Sequence, residues 1–72
     1  MQEADHMQGY WTVMASDLQR DGMGLELHAN GSSKYLAEVF YSDETGKLSI
    51  SLFEKDLPLP VIEGFIAMAK VA

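Results

Sequence analysis

The spacing of apolar residues changes period near the C-terminal end of this 72-residue chain. Through residues 23–54 apolar and polar positions alternate, as on strands with one buried face. Through residues 60–71 they recur at helical spacing instead. Few folds accommodate that order. Strands joined by short turns form an antiparallel sheet, and a lone helix after them can bury its apolar stripe only against a face of that sheet. The expectation is an α+β fold: a small antiparallel β-meander of three to four strands with one C-terminal helix packed on one face.

The segments follow from local chemistry. Tyr10 to Ser16 is aromatic and β-branched and reads as a first strand. Asp17 to Gly22 is a polar loop ending in Asp-Gly. Met23 to Ala29 alternates, with Leu25, Leu27 and Ala29 on one side; Asn30-Gly31-Ser32-Ser33 then turns the chain. Lys34 to Ser42 is the strongest strand, and Asp43-Glu44-Thr45-Gly46 fits a type I turn with a left-handed glycine. Lys47 to Glu54 alternates again. Pro58 and Pro60 end strand character, and Pro60 suits a first helical turn, where its missing N–H costs nothing. Val61, Ile62, Phe65, Ile66 and Ala69 form the apolar stripe of the helix, with Glu63 in the first turn and Lys70 in the last. Residues 1–8 fit no period and are expected to be a flexible segment ahead of a single domain of residues 9–72.

Parity sorts the sheet into two faces. If the 43–46 turn sets Phe40 opposite Ile50, then Leu25, Leu27, Leu36, Phe40, Leu48, Ile50 and Leu52 share the side beneath the helix. Glu38 falls on that apolar side without an obvious reason. The other side then carries Glu26, His28, Tyr35, Ala37, Val39, Tyr41, Ser49, Ser51 and Phe53. Aromatic residues among serines, with little charge at the centre, resemble the composition of a protein interface. Tyr35, Val39, Tyr41 and Phe53, with Phe65 and Met68 from the helix, are therefore the candidate partner-binding residues. A solvated face, or coverage by the N-terminal segment with Trp11, are the plainer alternatives.

Charge and composition exclude other classes. Eleven acidic against five basic residues give a net charge of −6, and the basic residues are scattered singly, so nucleic acid is not an expected partner. No apolar run approaches the ~20 residues that span a bilayer, so no membrane partner is expected. The chain has no cysteine, which rules out thiolate metal sites and fits a reducing, cytoplasmic setting.

The search for chemistry is thin. Glu26, His28 and Tyr35 could gather for acid–base work, but on an open face without a cleft. No nucleophile elbow, phosphate cradle or metal-ligand spacing occurs. The residues from Asp17 to His28 only faintly follow a calcium loop, with His28 where the bidentate glutamate belongs. No catalytic, cofactor or metal site is expected, and the chain is not expected to be an enzyme. The leading expectation is a small non-enzymatic protein-interaction module, self-associating as a homodimer because so short a chain gains from burying more apolar surface. The alternative is an acidic inhibitor or immunity-type protein. Asp17, Asp21, Asp43 and Glu44 would gather at one end of the meander and mask a basic surface of a partner.

Overall fold

The computed structural model of the protein describes residues 7–71. Strands β1 (Tyr10–Asp17), β2 (Gly22–Ala29), β3 (Tyr35–Ser42) and β4 (Leu48–Leu52) form one antiparallel sheet in the order β1-β2-β3-β4, and helix α1 (Leu59–Val71) follows. The fold is the expected α+β meander with a terminal helix. Gly31 (φ 81°) and Gly46 (φ 71°) adopt the left-handed backbone that their turns require. Helix α1 starts where the Pro58 carbonyl accepts the N–H groups of Val61 and Ile62, at 3.1 and 3.2 Å. Because the helix begins at Leu59, Glu63 sits beyond its first turn, contrary to expectation, whereas Lys70 lies in the last.

The core is a thin layer between the helix and the two central strands. Leu25 and Leu27 of β2, Ala37 and Val39 of β3, and Val61 and Phe65 of α1 are buried together, with Leu27, Ala37 and Phe65 wholly out of solvent. Leu36, Ile62, Met68 and Ala69 pack around this cluster. Met7 is buried in it as well, and its carbonyl accepts the Tyr10 N–H at 2.8 Å. Met7, inside the segment of residues 1–8 expected to be flexible, thus packs against the core; residues 1–6 lie outside the described residues.

The register of β3 differs from the expected one, and the difference turns its side chains over. Ile50 stands opposite Val39, and Phe40 opposite Ser49. The cause is the turn: Gly46 donates to the Ser42 carbonyl and Ser42 to the Lys47 carbonyl, so all of residues 43–46 lie outside the ladder. A shift of one position exchanges the two faces of a strand. At the other end of β3, Leu27 pairs with Ala37 and His28 with Tyr35, which leaves Leu36 as an extra residue in a bulge. Leu36 and Ala37 therefore both serve the core, while Tyr35 points away from the helix as expected. Phe40 and Glu38 also face away, and Val39 and Tyr41 face the helix side.

Candidate interaction surface

One helix cannot roof four strands. An α-helix with its side chains is about 10 Å across and strands lie ~4.8 Å apart, so α1 covers roughly two of them. It covers β2 and β3. The outer strands expose whatever they carry on that side, and they carry different things. Beside β1, Met7 and Tyr10 close part of the gap. Along β4 none of the described residues does: Leu48, Ile50 and Leu52, all on the helix side, remain 52%, 43% and 57% exposed. An open apolar groove of about 390 Å³ continues from this row under the end of the helix, lined by Met14, Met23, Tyr41, Leu48 and Ala69 among others.

The opposite face is organised by two side-chain systems. Arg20, from the β1–β2 loop, folds over it and grips Glu38 with both terminal nitrogens, at 3.1 and 2.8 Å. Its guanidinium lies 4.1 Å from the centre of the Phe40 ring. Glu38, only 6% exposed, is therefore a paired carboxylate, which explains an acidic residue inside the strongest strand. The side-chain bonds to Glu38 and then to Asp17 hold the Arg20 guanidinium above its ordinary value. Asp17 in turn is held below the usual carboxylate range, first by the Arg20 side chain and then by the Arg20 backbone N–H. Gly22 and Gly24 make room for this arrangement: a Cβ at Gly22 would meet the Tyr41 carbonyl and the Phe40 ring, and one at Gly24 the Glu38 carboxylate.

A row of rings forms the second system. Trp11 stacks on His28 with centroids 4.1 Å apart, His28 lies 5.6 Å from Tyr35, and Tyr35 meets Phe53 edge-on at 5.4 Å. The row crosses the sheet from β1 to the end of β4. Glu26 Oε1 lies 3.1 Å from His28 Nε2, so the expected Glu26–His28–Tyr35 grouping is formed. The imidazole, however, is buried between rings on the side of the sheet away from the apolar groove. Its contacts are those of a packed histidine.

The candidate binding residues therefore do not share one surface. Tyr35 and Phe53 touch each other on the face away from the helix, both exposed. Tyr41 is exposed on the other side, in the groove. Val39 and Phe65 are core residues, and Met68 is half-buried against the core. Sequence parity placed the Leu48, Ile50 and Leu52 row beneath the helix, so its exposure was missed. One signal could have revealed it: the width of a single helix, which cannot cover all four strands.

The acidic loops do come together, with the Asp43 N–H donating to the Asp21 carbonyl at 2.8 Å. Among the described residues, no cluster of His, Asp or Glu could hold a metal ion, and no helix is long and apolar enough to cross a membrane. Compared with known proteins, the chain matches no protein-family model, no curated protein and no solved structure.

Proposed function

We propose that this protein is a non-enzymatic, self-associating interaction module that uses the helix side of β4 and the adjoining groove. The observation that carries this reading is the exposed row of Leu48, Ile50 and Leu52 at a sheet edge. A contiguous apolar strip on so small a domain costs solubility and stability unless something covers it. A second copy is always at hand and carries the same strip. The absence of cysteine suits work in a reducing compartment such as the cytoplasm. Sedimentation equilibrium across the micromolar range tests the reading. The expected species has twice the 8.0 kDa chain mass; a strict monomer throughout counts against it.

A second reading is favoured by the contact between the Asp21 and Asp43 loops. Arg20 is engaged by Asp17 and Glu38, so Asp21, Asp43 and Glu44 are left with Lys47 at that end. This would suit masking of a basic protein. Its mark is salt-sensitive capture of such a partner that weakens on Asp43→Asn with Glu44→Gln, since exposed charges are screened beyond ~8 Å at physiological ionic strength.

A further inference from the structure

We propose that the second copy joins edge to edge, β4 against β4 and antiparallel, about a two-fold axis at Ile50. This rests on the self-association reading and specifies its geometry. Four features of the strand lead to it.

The first is the direction of the backbone. Ser42 donates to the Lys47 carbonyl and Phe53 donates to the Leu36 carbonyl, so residues 47, 49, 51 and 53 turn their N–H and C=O groups toward β3. In an antiparallel ladder the alternate residues point the other way. Leu48, Ile50 and Leu52 therefore offer both backbone groups to the free edge, and their side chains lie on the helix side.

The second is that, among the described residues, nothing guards this edge. Exposed edge strands are normally blunted by charge, proline or a bulge. Residues 48–52 contain no charge and no proline, and the β3–β4 register runs without interruption. The bulge at Leu36 lies on β3, on the inner side of the ladder.

The third is self-complementarity. A two-fold interface must match itself, residue i meeting j as j meets i. Antiparallel pairing about Ile50 sets Leu48 against Leu52 of the other copy, Ser49 against Ser51, and Ile50 against Ile50. The strand reads the same in both directions, so every pair is between identical side chains. Each apolar row then shields the flank of its twin, and each serine row stays on the wetter face. Strand β1, the other edge, has no such symmetry in Tyr-Trp-Thr-Val-Met-Ala-Ser-Asp.

The fourth is the pair of charges that bracket the strand. Lys47 precedes it and Glu54 follows within two residues of Leu52. Antiparallel pairing about Ile50 brings Lys47 of each copy beside Phe53 and Glu54 of the other, opposite charges at both ends. The product is one continuous sheet of eight strands, four from each copy, with both helices on the same face.

Cysteine cross-linking tests the geometry cleanly, because the chain has no cysteine of its own. Directly opposed residues have Cα atoms ~5.5 Å apart, within disulfide range, so oxidised Ile50→Cys should form covalent dimer about tenfold faster than Gln19→Cys in the distant loop. Leu48→Cys and Leu52→Cys should each stay largely uncoupled alone and join when mixed. Native mass measurement on the unmodified protein accompanies these reactions. A dimer whose Ile50→Cys variant links no faster than the control, and whose Leu48→Cys and Leu52→Cys variants ignore each other, overturns the edge pairing but leaves self-association standing. A monomer at all concentrations overturns both.

Discussion

Replacing Phe65 by alanine should remove a large share of the stability of this protein. The Phe65 side chain is wholly buried and sits where α1 meets Leu27 and Ala37, themselves without solvent exposure. Truncating such a phenylalanine costs about 3–5 kcal/mol, the lost transfer energy plus the cavity left behind. A chain of 72 residues at about 0.05–0.15 kcal/mol each has roughly 4–11 kcal/mol in all. The helix cannot compensate, since a segment of 13 residues holds little helix on its own. Urea denaturation followed by circular dichroism, at equal protein concentration, measures the effect. With a slope of about 1 kcal/mol per molar urea for so small a domain, the midpoint should fall by about 3 M or more, or the variant should be unfolded without denaturant. Leu59→Ala, on the same helix but 67% exposed, should stay within about 0.5 kcal/mol of the parent. A Phe65→Ala variant within about 1 kcal/mol of the parent would refute the claim that this residue anchors the helix to the sheet.

Other expectations follow from the opposite face and from the strand edges. Gly22→Ala should destabilise more than Gly24→Ala, because a Cβ at Gly22 meets the Tyr41 carbonyl, which cannot move without its strand, whereas at Gly24 it meets the mobile end of Glu38; equal midpoints in urea would contradict this. Asp17 has its carboxyl held below its ordinary value of 3.8 by Arg20, so its ion pair stabilises the fold above that value and loses its contribution as pH falls through the lower folded value. Stability of Asp17→Asn should therefore fall less steeply with acid below about pH 4 than that of the parent, and parallel acid titrations would count against the Asp17–Arg20 contact. Trp11 lies on β1, at the edge away from β4, so its emission should stay unchanged on dilution through dimer dissociation; a shift would implicate the β1 edge instead.

Much of this architecture could be read from the residues, and the parts that could not share a cause. The alternation of Met23 to Ala29, the Asn30-Gly31 and Asp43–Gly46 turns and the stripe from Val61 to Ala69 each depend on local chemistry, and each is where expected. The register of β3 depends on which carbonyl the Gly46 N–H finds and on whether Leu36 is squeezed out of the ladder. Either event moves every later side chain to the other face, and neither leaves a mark in composition. For that reason Val39 and Phe40 exchanged sides, and Val39 left the candidate surface for the core. Glu38 is the instructive residue. It looked misplaced until Arg20, 18 residues earlier in a loop, supplied both its partner and its cover. Phe65 and Met68 went the other way, into or against the core, because a single short helix turns its best apolar residues inward. The β4 row remained outside for the same geometric reason.

The most direct test is amide hydrogen exchange at Leu48, Ile50 and Leu52, measured at increasing protein concentration. These N–H groups have no partner within the ladder of one copy and acquire one only when β4 pairs with its twin. Their protection should rise with concentration while that of Ser49 and Ser51, bonded to β3, is present from the start. Fast exchange at Ile50 at every concentration, under conditions where Ser49 and Ser51 are protected, would contradict the pairing of these edges.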